Sequence, residues 1–219
     1  MDIATVSRTC SRIIEQLERA VIGKRPVLEK ILMAVIGGGH VLIEDVPGLA
    51  KTLMASSLAD AFRLNFSRIQ FTPDLLPGDI IGATIFDQAT SRFEFRQGPL
   101  FANLVLADEI NRATPKTQSA LLEAMQEQHV TVGRTQHTLA SPFVVIATQN
   151  PIELEGTYPL PEAQLDRFLI RVEVGYPDEE AELGMLIRRR DRRHDDVRID
   201  PVVSAEELIE MRDALETVH

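Results

Sequence analysis

The sequence predicts an α/β fold in which a parallel sheet is flanked by helices. Three observations predict it. Short apolar runs of strand length alternate with longer stretches of helical period. A glycine-containing loop joins the first such run to a helix, in the manner of a phosphate-binding loop. A later apolar run ends in two adjacent acids, which the carboxyl edge of a parallel sheet would place beside that loop.

The elements follow in order. Ile3, Val6, Ile13, Ile14, Leu17 and Val21 recur near a 3.6-residue period and predict a helix that breaks at Gly23. A second helix, over about Pro26 to Ile36, is stopped by Gly37-Gly38-Gly39. His40–Glu44 has the length and β-branched content of a buried strand, Asp45–Ala50 is a loop, and Lys51–Phe62 is a helix rich in Ala, Leu and Met. Further strands are expected at Phe66–Phe71, Leu104–Ala107, Phe143–Thr148 and Phe168–Val174. Thr114 and Pro115 predict the N-cap and first turn of a helix that buries Leu121, Leu122 and Met125. Ile80–Phe86 and Phe93–Arg96 flank Asp87–Arg92 as one hairpin. Val130–Val132 and Thr135–Leu139 flank Gly133-Arg134 as another. Pattern alone weighs surface decoration evenly against a working role for both.

Past Gly175-Tyr176-Pro177 the composition shifts, and residues 178–219 read as helical throughout. Asp178, Glu179, Glu180 and Glu182 open a helix, and Arg188, Arg189, Arg190, Arg192 and Arg193 close it, an order that complements the helix dipole. Ser204 and Glu207 form a capping box for a last helix carrying Leu208, Met211, Leu215 and Val218. That helix reaches His219 without a C-cap, so the chain is expected to stop inside a second domain.

Composition narrows the function. The 219 residues are 44% hydrophobic and 26% charged, ordinary for a globular protein large enough to need no staple. The single cysteine, Cys10, excludes an internal disulfide and a Cys-rich zinc fold, and suits the reducing cytoplasm. No apolar run approaches the roughly 20 residues that span a bilayer, and no secretory signal opens the chain. The net charge is −10, with 16 Lys/Arg against 20 Asp/Glu in residues 1–177 and 7 against 13 in 178–219. That balance argues against nucleic acid as a partner. The five histidines (His40, His129, His137, His194 and His219) show no metal-ligand spacing.

Asp45-Val46-Pro47-Gly48-Leu49-Ala50-Lys51-Thr52 resembles a Walker A loop, with both pattern glycines replaced, by Asp45 and Ala50. Gly48 still lets the loop turn, and backbone N–H groups at the helix start can face phosphate oxygens. Lys51 can reach β- and γ-phosphates, and Thr52 can offer its hydroxyl to Mg²⁺. Asp45 lies on the strand side, where its charge can point away. In Leu104–Glu109, Asp108 is placed to hold the metal and Glu109 to polarise a water as general base. Adjacent acids suit a hydrolase, which positions water, better than a kinase, which excludes it.

Other strings then align. Val21-Ile22-Gly23-Lys24 precedes the loop as an adenine-contacting turn does in AAA+ ATPases. Val144–Pro151 is similar to the sensor 1 strand ending in Asn150, and Leu160–Phe168 to the arginine-finger segment with Arg167. Asp108-Glu109-Ile110-Asn111-Arg112-Ala113, Ala147–Pro151 and Glu155–Phe168 most resemble the MoxR family of AAA+ ATPases, over about Val21 to Val174. The resemblance implies a five-stranded parallel sheet ordered 5-1-4-3-2, two hairpin insertions facing the pore or client side of a ring, and a helical lid. Residues 1–177 are then the nucleotide-binding core and 178–219 a partial lid without its sensor 2 arginine.

The resemblance also implies ATP and Mg²⁺ as cofactors. Catalytic roles fall to Lys51, Glu109, Asn150 and Arg167, the last acting in trans. Cofactor contacts fall to Val21, Ile22, Gly23, Pro47, Gly48, Leu49, Ala50, Lys51, Thr52 and Leu53, and metal contacts to Thr52 and Asp108. A hexameric ring that remodels or matures client proteins, among them proteins with von Willebrand factor A domains, is the implied assembly. Two readings compete: a nucleotide-dependent interaction module with little catalysis, and a nucleic-acid-linked AAA+ motor.

Overall fold

A computed structural model describes the chain except for residues 47, 152–155, 178, 193–196 and 218–219. Helix α1 (Ile3–Ala20) is capped by Asp2, whose side chain accepts from Thr5 N, and it buries Val6, Ile13, Ile14 and Leu17. Ile3, expected on the same stripe, is 43% exposed. The chain turns at Gly23, at φ +71°, and enters α2 (Arg25–Ile36). The core then alternates: β1 (Val41–Glu44), α3 (Lys51–Ala61), β2 (Phe66–Gln70), the short α4 (Pro77–Ile81), the hairpin β3 (Gly82–Asp87) and β4 (Arg92–Gln97), and β5 (Leu104–Asp108). It continues through α5 (Pro115–Glu127), the hairpin β6 (His129–Val132) and β7 (Thr135–Thr138), β8 (Val144–Gln149), the short α6 (Glu162–Leu165) and β9 (Ile170–Val172), and closes with α7 (Glu179–Arg192) and α8 (Ala205–Glu216).

The main sheet runs β2-β5-β8-β1-β9, every pair parallel, which is the 5-1-4-3-2 order counted over core strands. The central strands are apolar on both faces, as strands covered on both sides must be. Alternation assigns each face a layer. Val41, Ile43, Leu104, Leu106, Val144 and Ile146 join α1, α2 and α3 in one cluster. Leu42, Val105, Ala107, Val145 and Ala147 join Leu121, Leu122 and Met125 of α5 in the other.

Four expectations change. Ile80 and Ile81 end α4 instead of beginning the first hairpin, and that hairpin pairs Gly82 to Gln97 through Asp87 to Arg92. Thr114 occupies the N-cap of α5 without a side-chain capping bond; its hydroxyl lies 3.5 Å from that of Thr117. The tail is not helical throughout: Val197–Ser204 has no helix, and Pro201 together with β-branched Val197, Ile199, Val202 and Val203 explains why. In α8, Leu208 and Met211 are fully buried, whereas Leu215 is 39% exposed and Ala214 takes its place in the core. The capping box at Ser204 and Glu207 forms as expected. Asp178, Arg193 and Val218 lie outside the described residues.

The tail joins the first cluster through Ile199, Val203, Leu208, Met211 and Ala214. Val202 N and Val203 N donate to Ala61 O, and Arg212 donates to Val35 O at 2.8 and 3.1 Å, closing the last turn of α2.

Candidate functional site

Sheet order creates the site. β1 lies beside β8, and β8 beside β5, so the carboxyl ends of three parallel strands converge. A cleft of about 480 Å³ opens there, lined by Gly48, Leu49, Ala50, Lys51, Thr52, Leu53, Arg68, Gln70, Asp108, Glu109 and Asn150.

The loop after β1 wraps around its own lysine. Lys51 Nζ donates to Asp45 O at 2.8 Å and Val46 O at 3.0 Å. Burial pushes the Lys51 amine below the usual lysine range, while Asp108, Asp45 and Glu109 pull it back up. Gly48 sits at φ +90° and Ala50 at φ +56°, so both adopt left-handed backbone ahead of α3. The Asp45 carboxylate accepts from Val46 N at 2.7 Å and from Gly175 N, and does not line the cleft. Its charge is thereby satisfied on the strand side. Pro47 lies outside the described residues.

The two acids of β5 are held by separate partners. Asp108 Oδ1 accepts from the fully buried Thr148 hydroxyl at 2.7 Å, and that hydroxyl accepts from Glu109 N at 2.9 Å. Asp108 Oδ2 accepts from Arg68 Nη2 at 2.7 Å and Nε at 3.2 Å. Glu109, at φ +56°, accepts at Oε2 from Gln70 Nε2 at 2.8 Å and Arg112 Nη1 at 3.1 Å. Left-handed backbone at a non-glycine residue costs about 1–2 kcal/mol, and such strain gathers at functional sites. Arg112 pairs with Glu109 in an i, i+3 ion pair.

Asn150 lines the cleft at the end of β8, and its carbonyl accepts from Asn111 Nδ2 at 3.3 Å. Gln118 ties this loop to the acid strand, donating to Ile110 O, Ala113 O and Tyr158 O. The donor set fits Mg²⁺: a threonine hydroxyl and a carboxylate are hard oxygens on one cleft wall, and Mg²⁺ fills its remaining positions with phosphate and water. No group of three or more His, Cys, Asp or Glu able to hold a metal occurs among the described residues, so the site is no all-protein metal cage.

Four expected site residues lie away from the cleft. Val21 is buried in the core, while Ile22 and Gly23 border a separate hollow of about 330 Å³ with Glu15, Glu18 and Arg19. A side chain at Gly23 would collide with Ala181 of α7, and Lys24 Nζ donates to Tyr176 O at 2.7 Å. This turn therefore meets the segment leading into α7. Arg167 lines a ledge with Glu123, Gln126, His129, Thr131 and Gln136, and forms no ion pair with Asp166 or Glu162.

Arg68, Gln70 and Thr148 escaped sequence reasoning. The signal for the first two was polar residues at alternate positions of β2, whose meaning needs the register Gln70 opposite Asp108. Thr148 is the one hydroxyl inside an apolar run.

The profile of the ATPase family associated with various cellular activities (AAA) matches residues 40–170. Chaperone MoxR1 of Mycobacterium tuberculosis is 51% identical over 186 residues, 85% of this chain and 49% of that protein. YeaC of Bacillus subtilis is 50% identical over 205 residues, 94% of this chain and 64% of that protein. The crystal structure of a candidate ATPase from Cytophaga hutchinsonii matches with a TM-score of 0.88 at 45% identity, covering 98% of this chain and 65% of that one. The chain thus spans about half to two-thirds of the length of these relatives.

Proposed function

The chain belongs to the MoxR group of the AAA ATPase family, and from that premise we propose that it hydrolyses ATP with Mg²⁺ and couples turnover to chaperone-like remodelling or maturation of partner proteins. One observation carries this reading: Lys51, Thr52, Asp108, Glu109 and Asn150 line a single cleft at the carboxyl edge of a parallel sheet.

Each residue then has a role its surroundings support. Backbone N–H groups of Gly48–Leu53 cradle phosphates at the start of α3. Lys51 exchanges loop carbonyls for β- and γ-phosphate oxygens. Thr52 and Asp108 would hold the metal, which would neutralise phosphate charge when bound. Glu109 orients and deprotonates water, and Asn150 offers an amide to the γ-phosphate or that water. The Val21–Gly23 turn receives the base, with Pro47 completing the loop. Arg167, remote from its own cleft, acts on a neighbour's phosphate in a hexameric ring. Residues 1–177 form the nucleotide-binding core and 178–219 belong to the lid. Proteins with von Willebrand factor A domains are the proposed clients, in the cytoplasm.

The test is an Mg·ATP titration of the chain beside Lys51→Ala. Lost charge-assisted bonds predict about a hundredfold weaker binding in the variant. Equal binding by both proteins, or none by either, overturns the phosphate-loop reading. A second reading, a nucleotide-dependent interaction module with little catalysis, draws on Glu109 being held by both Gln70 and Arg112. Steady-state phosphate release by a full-length protein decides between them; a robust rate excludes the module.

A further inference from the structure

Arg68 lines the same cleft as Lys51, but no role in the reading above uses it. It sits on β2, the edge strand, two residues before Gln70, which lies opposite Asp108 in the β2–β5 register. Its guanidinium gives two donors to one oxygen, Asp108 Oδ2, and the Nη2 that makes the shorter bond also donates to Gln70 Oε1 at 2.6 Å. The other oxygen, Oδ1, belongs to Thr148. Arg68 therefore occupies the one carboxylate oxygen of Asp108 that no neutral group already holds. The two ends differ in freedom: the Asp108 side chain is 13% exposed and fixed by Thr148, while Arg68 is 47% exposed on a long stem.

We propose that Arg68 is a stand-in cation, which neutralises Asp108 Oδ2 until the metal takes that oxygen and then turns across the cleft to the terminal phosphate as a cis ligand. The reasoning is electrostatic. A carboxylate that is 13% exposed needs a compensating charge, and a guanidinium and a divalent cation seeking the same oxygen compete. Released from Asp108, the guanidinium remains in a cleft whose proposed occupant carries a terminal phosphate, for which its planar fork is suited. The inference rests on the nucleotide-binding reading and adds to it a residue that sets metal requirement and the preference for triphosphate over diphosphate.

The test uses Arg68→Ala and Arg68→Lys in the whole chain, with a fluorescent ATP analogue and its ADP counterpart titrated in EDTA and across a Mg²⁺ series. Partly exposed ion pairs set the scale at about threefold to fivefold. In Arg68→Ala, the Mg²⁺ concentration for half-maximal nucleotide binding is expected to fall by that factor, because the competitor is gone. At saturating Mg²⁺, binding of the ATP analogue is expected to weaken by a similar factor, while that of the ADP analogue, and metal-free binding of either, holds. Arg68→Lys, which keeps the charge and loses the fork, is expected to lie between. A merely structural arginine would weaken both nucleotides equally and leave the Mg²⁺ midpoint in place or raise it, and that result overturns the proposal. Nucleotide binding by the wild type that Arg68→Ala leaves unchanged in all three readouts overturns it too, with the functional reading intact. Failure of the wild type to bind nucleotide overturns both.

Discussion

The cleft at the carboxyl ends of β1, β5 and β8 and the ledge that α5, the β6–β7 hairpin and Arg167 line differ in how their charges are balanced. Each charged group lining the cleft has an internal partner: Lys51 two loop carbonyls, Asp108 the Thr148 hydroxyl and Arg68, Glu109 the Gln70 amide and Arg112. The Arg167 guanidinium makes no hydrogen bond or ion pair among the described residues, although Glu123 and Glu127 line the same ledge. A site built by one subunit can be organised in advance by that subunit's own dipoles. A guanidinium left without an internal partner is what a shared site requires of the subunit that lends it. The contrast supports the proposal that Arg167 completes a neighbour's cleft.

The largest expected effects test that division. Arg167→Ala should lower ATP turnover about 10³-fold, the scale of a lost arginine finger, with nucleotide binding unchanged. Glu109→Gln should lower turnover about 10²–10³-fold through loss of the base, again with binding retained. Mixing the two variants sharpens the comparison. An interface joining Arg167 of one subunit to Glu109 of the other is intact on both sides, so turnover should recover in part. No recovery in mixed assemblies, measured as phosphate release, would break the division and return Arg167 to its own subunit. Unchanged turnover in Glu109→Gln would remove it as the base.

A smaller effect concerns the sheet under the cleft. His40 precedes β1; its Nδ1 accepts from Val145 N at 3.0 Å and its Nε2 lies 3.2 Å from Met125 O, so the ring is neutral with its proton on Nε2. Burial lowers its pKa below 6.5, and the positive charge of Arg212 lowers it further. Protonation would turn an N–H toward the Val145 N–H. With a depressed native pKa, the unfolded chain takes up the proton first as pH falls below 6.5. His40 therefore makes stability decline on acidification through that window and adds no slope above it. His40→Leu should cost about 1–3 kcal/mol at neutral pH by stranding the Val145 N–H, and should flatten the acid-side slope. Denaturant melts at pH 7.5 and 5.5 read both. A variant with the wild-type slope would exclude His40 as its source.

The cis half of the cleft was legible because it lives in local strings: a strand, a loop and a helix start, then a strand ending in two acids; the sheet order came from the family resemblance alone. What escaped depends on which strand lies beside which. Arg68 and Gln70 read as ordinary polar positions until β2 is placed against β5 with Gln70 opposite Asp108. The tail failed for a different reason. Its acidic and basic flanks suggested one helical block, but Pro201 and the β-branched residues around it disfavour helix, and burial of Ile199 and Val203 ties that segment to the core. Helical phase explains Leu215: a stripe through Leu208 and Met211 continues to position 214, where a small Ala suits the contact with α1 and α2 better than the larger Leu one position on.

The smallest effect probes the loop itself. Ala50 is exposed and left-handed at φ +56° and ψ +21°, and it caps α3 without a side-chain bond. An alanine there carries the methyl clash that glycine avoids, about 1–2 kcal/mol. Glycine in turn frees the unfolded chain by about 0.4–1 kcal/mol. The balance favours Ala50→Gly by roughly 0.5–1 kcal/mol, so the usual phosphate-loop glycine should stabilise this protein when restored. The removed methyl also sat beside the backbone N–H groups that face the cleft, so Mg·ATP affinity should hold or rise. The cis half of the site would then carry strain that it can shed without loss of function. A denaturation midpoint that falls in Ala50→Gly would mean that the loop does not hold left-handed backbone at this residue in solution, and a midpoint that rises while affinity drops would mean that the methyl group helps shape the phosphate cradle.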